Sequence, residues 1–567
     1  MFLGFLFVAV SNVLLISQGD LIKKATDELA KQLNGSSPSD SHNFLLYAAA
    51  LLSLALGSGF FMFLKRQFII VVSRLIEADL KNEIFNHYQL LDVPFYKNNN
   101  TGDLMNRISE DVGKVRMYVG PAVMYIVDTF FTVATVLLFM LAENWKLTLI
   151  VFIPLPILSF TIFKVSNLIN KRSTKVQEAL SDLTSKAQES FSGIRLVKSF
   201  KVEKKIMSEF SEKSDIYRSS ALSLNRSEAL FQPVMMGMVG LSLVSIIYFG
   251  SLFYLNGEIT VGSLPQFIFF VYKLTWPFAS LGWVSSLIQR AAASQTRINQ
   301  FLETKPIVSN PSHEQYTIQG NIEFRNVTVV YPESGIKALD EISLTMESGK
   351  VYALVGPTGS GKSTLASLIT RIYDVSSGEL LVDGMNIKNH NLQIIRNSTG
   401  YVPQESFLFS DTIAENIGFS LRNFKSSAKE GIEKIEIAAV ISGIHSEIER
   451  FPMGYETMVG ERGIMLSGGQ KQRISIARAI CKQPKILLFD DCLSAVDTDT
   501  EDKILGNLNS YLGEKTTMII SHRISTVQHA DKIFYLKGGK LIESGTHDQL
   551  LSIDGEYAKL AEMQKVR

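Results

Sequence analysis

"KVYALVGPTGSGKSTLASLITRIY", Lys350 to Tyr373, passes from an apolar run through a glycine-rich turn into an amphipathic helical pattern. Between the strand-like "VYALV" and the helix stand Gly356, Pro357, Thr358, Gly359, Ser360, Gly361, Lys362 and Ser363, with Thr364 following. The order G-x-x-x-x-G-K-S between a strand and a helix is that of a phosphate-binding loop. Its glycines let backbone N–H groups close around phosphate oxygens at a helix N-terminus. Lys362 is expected to supply a point charge to the β- and γ-phosphates, and Ser363 a hydroxyl to Mg²⁺. A purely structural glycine turn is the alternative, and the strand-to-helix context leaves it little room.

A second stretch belongs with the first. "KILLFDDCLSAVD", Lys485 to Asp497, sets four apolar residues directly before Asp490 and Asp491. The run is too short for a helix and reads as a buried strand. Acids at the C-terminal edge of such a strand sit where α/β sheets bind ligands. Asp490 is therefore the expected partner of Ser363 around Mg²⁺. Capping of the next helix is the plainer reading of the pair.

The N-terminal half has another character. Phe44 to Leu64 is free of formal charge and is stopped by Lys65 and Arg66, a length that crosses a hydrocarbon core. Further spans are expected at about 2–19, 117–141, 147–163, 229–255 and 261–289, six in all. Lys and Arg crowd the segments 65–116 and 164–226, whereas "LNGEIT" at 255–260 has neither. The long basic segments are thus expected in the cytoplasm, as helices continuing beyond the bilayer. Asp128 and Lys273 fall inside spans, where an ionisable residue faces a wet cavity or snorkels to an interface. Met1 stands almost within the first span, and two readings are open, a shortened start or a short natural terminus. A cleaved signal is not expected.

The whole chain carries 56 Lys+Arg against 55 Asp+Glu, net +1, so no global basic field points to nucleic acid. Its two cysteines, Cys481 and Cys492, are too few for a disulfide framework and suit a reducing cytosol.

"LSGGQKQRISIARA", Leu466 to Ala479, narrows the reading. With it, the second half resembles the ATPase domain of an ATP-binding cassette transporter. The resemblance implies that Tyr331 in "VVYPE" stacks on adenine, and that Gln404 in "YVPQE" contacts Mg²⁺ and the attacking water. It likewise implies that Ser467, Gly468, Gly469 and Gln470 form the signature, Asp497 the D-loop, and His522 the switch that holds the γ-phosphate. It covers essentially the entire chain and is similar to exporter half-transporters. "FYKNNNTGDLMNRISEDV" (95–112) resembles their first coupling-helix region, and "VGERG" (459–463) the loop that contacts coupling helices. The implied architecture is multidomain: an all-α six-span membrane domain over 1–302, a linker over 303–320 and an α/β phosphate-loop ATPase domain over 321–567.

Such families work as dimers, the signature of one chain closing over the phosphate loop of the other. The implied partners are a second half-transporter, identical or not, the lipid bilayer, and an amphiphilic drug or lipid, without nucleic acid. The implied setting is a bacterial cytoplasmic membrane with the ATPase domain in the cytoplasm. One residue departs from the pattern. Where most members carry a Glu that polarises the attacking water, this chain has Asp491, shorter by one methylene. Displacing a catalytic group by about 1 Å can cost on the order of 10²-fold, so slow hydrolysis is one expectation and a compensating backbone shift the other. An intact signature beside "DDCLSAVDTDTE" is similar to one half of heterodimeric multidrug exporters; a homodimer with two slow sites also fits. An ATP-gated channel or regulator is the rival function, and its sole support is Asp491. A soluble cassette ATPase acting on nucleic acid is opposed by the six spans, and an importer by the fusion of both halves in one chain.

Overall fold

The computed structural model describes the chain except residues 34–40, 313, 332–333, 422–428, 461–462, 464–465, 494–497 and 566–567. It divides into two compact units. One holds residues 1–89 and 101–304, the other 90–100 and 305–567.

The first unit is helical. Among the described residues, five helices are long and apolar enough to cross a membrane: Phe2–Leu33, His42–Leu90, Thr101–Glu143, Glu203–Leu255 and Ser263–Leu302. The stretch expected as a further span, 147–163, is helical but divided into Trp145–Phe152 and Pro154–Ser192. Proline supplies no N–H to the preceding turn and is at home at the start of a helix, so the break falls at Ile153. The helix from Pro154 is 39 residues long, roughly 58 Å at 1.5 Å per residue. That exceeds a hydrocarbon core of about 30 Å. The length is compatible with the extension beyond the bilayer expected from the sequence.

Ile16, Val136, Met140, Leu147, Phe267 and Phe270 meet in the apolar centre of this unit. On the second helix Leu52, Leu56, Phe60 and Phe63 are exposed, a face suited to lipid rather than water. Asp128, expected at a cavity or an interface, is paired instead. The Lys65 ammonium donates to its Oδ1 at 2.6 Å, and the Asn12 amide at 3.1 Å. Lys65 itself is buried, so the residue expected to stop the span is its internal counter-charge. Lys273 lies 5.0 Å from the centre of the Phe269 ring. Glu143 accepts from Lys23 and from Ser263, both at 2.6 Å.

The second unit contains two sheets. β1 (Ile322–Val330), β2 (Lys337–Met346), β4 (Ser377–Val382) and β5 (Met385–Asn386) form an antiparallel sheet in the order β2-β1-β4-β5. β3 (Val351–Val355), β6 (Thr399–Val402), β7 (Ile486–Asp490), β8 (Thr516–Ile520), β9 (Lys532–Lys537) and β10 (Lys540–Gly545) form the other. Its order is β10-β9-β3-β8-β7-β6, parallel except for β10. β7 and β8 are buried at every position, which is why the run before the two aspartates shows no alternation. Phe324, Leu344, Leu365, Leu488 and Phe534 share the core that joins the two sheets. A second core, with Ile413, Ile435, Ala438, Ile474 and Leu487, packs the helices around the signature onto the other side of β7.

Residues 90–100, placed by sequence among the membrane segments, belong to this second unit. They carry a short helix, Val93–Asn98, with Pro94 at its start. The Asp92 carboxylate accepts from the N–H of Phe95 and from the N–H groups of Ile307 and Val308, the last two at 2.6 and 3.1 Å. It therefore caps the short helix and holds the chain that leaves the last membrane helix.

Candidate active site

Four neighbouring parallel strands deliver the site from their C-terminal ends. β3 runs into the phosphate loop, β7 ends at Asp490 with Asp491 next, β8 leads to His522, and β6 leads to Gln404. Side chains distant in sequence meet because the sheet aligns those ends on one edge.

The loop's shape depends on glycine at two points. Gly356 has φ 151° and Gly361 φ 99°. A Cβ at Gly356 would stand 2.0 Å from the Leu536 carbonyl oxygen, and one at Gly361 2.4 Å from that of Ala338. Any side chain would collide with backbone there. Lys362 opens the helix Lys362–Ile369 and is buried. Its ammonium donates to the carbonyls of Gly356 and Pro357, both at 2.9 Å. Burial lowers its proton affinity, opposed by Asp491 and Asp490. The Ser360 hydroxyl is buried without a hydrogen-bond partner among the described residues, an arrangement that suits a phosphate oxygen.

The Ser363 hydroxyl donates to Asp490 Oδ1 at 3.0 Å, and the Tyr401 hydroxyl to Asp490 Oδ2 at 3.3 Å. Burial pushes the Asp490 carboxyl above the ordinary range, against these two hydrogen bonds. Asp491 is less buried and receives the Gln404 amide at 3.4 Å. Burial raises it too, against the pull of His522 and Lys362. Asp491 also has φ 48°, in the left-handed region.

These groups enclose a cavity of about 380 Å³ lined by Tyr331, Thr358, Gly359, Gly361, Lys362, Ser363, Thr364, Gln404, Asp490, Asp491 and His522, among others. The Tyr331 hydroxyl shares a hydrogen with Thr364 Oγ1 at 2.9 Å, and its ring meets Tyr373 edge-on at 5.3 Å. Of the expected loop residues, Gly356, Pro357 and Ser360 are not among the described lining, and neither are Ser467, Gly468, Gly469 and Gln470. The last four start another helix, Gly468–Cys481. Ser467 Oγ accepts from the Gln470 N–H while the Gln470 side chain accepts from the Ser467 N–H, a reciprocal cap. Gln470 and Arg473 both bind Glu447, at 2.9 and 2.6 Å. Asp497 lies outside the described residues, as do Glu461 and Arg462 of "VGERG".

Sequence reasoning missed Tyr401, which directly precedes the strand end that delivers Gln404. It also missed buried Glu501, which accepts from Arg523 and Thr526 beside His522. Neither carries a local signal, since a tyrosine in a strand and a glutamate in a helix are ordinary.

Two family descriptions fit the chain: the ABC transporter transmembrane region over residues 1–278 and the ABC transporter over residues 339–494. A probable multidrug resistance ABC transporter ATP-binding/permease protein of Bacillus subtilis, YheI, is 35% identical over 499 residues, 87% of this chain and 84% of that protein. The chain is an ABC transporter. An ATP-dependent lipid A-core flippase of Pseudomonas syringae pv. tomato is 35% identical to the transporter over 521 residues, 92% of this chain and 86% of the relative. The solved structure of a bacterial Atm1-family ABC exporter with ATP bound superposes with a TM-score of 0.80 at 27% identity, covering 99% of the transporter and 98% of that chain. The transporter is thus an integral membrane protein of the exporter kind, with a helical membrane half and an α/β nucleotide-binding half, whose ATPase is coupled to transport.

Proposed function

We propose that this chain is one half of a dimeric exporter that moves an amphiphilic drug or lipid across a bacterial cytoplasmic membrane. The observation that carries the dimer is the composition of the nucleotide cavity. It gathers the phosphate loop, both aspartates, Gln404 and His522, yet among the described residues that line it none comes from the 466–470 turn. The glycine-led start of the helix Gly468–Cys481 is suited to a phosphate, and a second chain would bring it one.

Within this reading, residues 1–302 move the substrate, 303–320 connect, and 321–567 bind and hydrolyse ATP, with 90–100 added to the latter. Lys362 and the loop N–H groups hold the phosphates, and Tyr331 stacks on the adenine. His522 holds the γ-phosphate in place. Asp491 takes the proton of the attacking water, which Gln404 helps to orient. Ser363, Asp490 and Gln404 fit Mg²⁺, which keeps few protein ligands beside water and phosphate oxygens. The ion would offset phosphate charge when bound. Asp497 is assigned to the D-loop by resemblance alone.

An amphiphilic substrate is supported by two grooves on the same pair of membrane helices. One, of about 510 Å³, is apolar, with Ile126, Phe130, Leu137 and Phe278. The other, of about 440 Å³, has Trp283 and Leu287 beside Lys114, Arg116 and Arg290. Uptake of a fluorescent amphiphile into inside-out vesicles tests the reading. Uptake should require hydrolysable ATP, fail with a non-hydrolysable analogue, and vanish in Lys362→Ala with the protein still inserted. Flux supported equally by the analogue would replace a pump with a nucleotide-gated channel.

A further inference from the structure

The expected adenine platform has a neighbour from an unexpected part of the chain. Lys97, in the short helix Val93–Asn98, places its ammonium 5.8 Å from the centre of the Tyr331 ring and 5.1 Å from that of Tyr373. The two rings meet edge-on at 78°, so one cation serves two electron-rich π-systems. The helix is held in this unit by the N–H groups of Ile307 and Val308, which donate to Asp92. By covalent continuity it follows the second membrane helix, which ends at Leu90, and precedes the helix that begins at Thr101.

Cations are drawn to the faces of aromatic rings by about 0.5–1 kcal/mol at exposed sites. A purine stacked on Tyr331 would add a third π-surface to this group. Its ring nitrogens would also bring lone pairs toward the ammonium, which has only donors to offer. A phosphate chain without a base gains nothing from either effect.

We propose that Lys97 is a base-binding residue of the nucleotide site. The inference rests on the reading of the cavity as an ATP site and assigns it a residue from outside the ATPase sequence.

The test uses the full-length protein in detergent and two probes, a non-hydrolysable ATP analogue and inorganic tripolyphosphate, each titrated calorimetrically. Lys97→Ala should weaken the analogue about fivefold, as expected for losing a cation at an aromatic site, with tripolyphosphate changed less than twofold. Lys97→Arg, which keeps cation and stacking ability, should restore the analogue's affinity. In a Tyr331→Ala background, Lys97→Ala should lose its effect. Equal changes for both probes, no change for either, or tighter binding of the analogue would overturn the proposal. If instead the unmodified protein binds neither probe, or Lys362→Ala binds both normally, the ATP-site reading itself fails.

Discussion

Asp491 combines an acidic side chain with a backbone angle of φ 48°, a region where Asp and Asn are enriched several-fold over other non-glycine residues. Its short side chain suits that backbone better than it suits the task of reaching a water molecule. Asp491→Glu should therefore restore the missing reach at a small conformational cost. Steady-state ATPase of the purified protein is expected to rise about tenfold, worth roughly 1.4 kcal/mol in the transition state. Asp491→Asn should nearly abolish it; lower turnover in Asp491→Glu than in the unmodified protein would show a site already tuned around aspartate. The double aspartate was legible in the sequence, whereas its backbone angle was not, because the angle is set where β7 ends beside β8. Lys482 offers a test of another kind. Burial brings its ammonium down to about 8, although it donates to the Arg396 carbonyl at 2.7 Å. The folded state therefore holds fewer protons than the unfolded one between about pH 8 and the free lysine value of about 10.4. Stability from this group is penalised in full below pH 8 and recovers as pH rises through that window. Lys482→Met should lift thermal stability at pH 7 and flatten its rise between pH 8 and 10, and an unchanged slope would remove Lys482 as its source.

At the scale of elements, the strand ends and the phosphate loop could be read because each is specified locally, by an apolar run followed by glycine, lysine or acid. The helix Val93–Asn98 could not. Its sequence is neutral about which unit it joins, and the decision is made by Asp92 and Lys97 finding partners more than two hundred residues away. The division of 147–163 follows from Pro154, whose missing N–H interrupts a run that hydropathy alone makes continuous. Asp128 and Lys65, 63 residues apart, carry no local sign of each other, and only packing pairs them. Lys65 is buried and Asp128 half-buried, so removing either strands the other charge at a cost below that of a fully buried pair. Asp128→Asn and Lys65→Met should each lower the unfolding temperature in lipid nanodiscs by several degrees, while Lys65→Met with Asp128→Leu should recover most of the loss. A double variant as unstable as the sum of the single ones would show that the pair acts through something other than charge compensation.

For the whole molecule, the separation of the 466–470 turn from its own chain's nucleotide cavity makes function a property of two chains. If the partner is a different half-transporter with its own working site, this chain's signature serves that site. Ser467→Ala should then depress ATPase of the pair by tenfold or more, while Asp491→Ala lowers it less than twofold. A homodimer should lose activity in both. Measuring both variants alone and with a co-expressed half-transporter decides between the two assemblies. The segment 90–100 has a consequence of a different order, for modularity. A cut ahead of the first strand, where composition changes most visibly, does not release a complete ATPase. It leaves behind residues 305–321 and also 90–100 of that unit, the latter including the carboxylate that caps its short helix and the lysine over its aromatic platform. A recombination that exchanged the C-terminal half with a relative would set a foreign residue over Tyr331 unless the same segment travelled with it. The heritable unit is thus discontinuous, and a compensating change near residue 97 is where a successful swap should leave its trace.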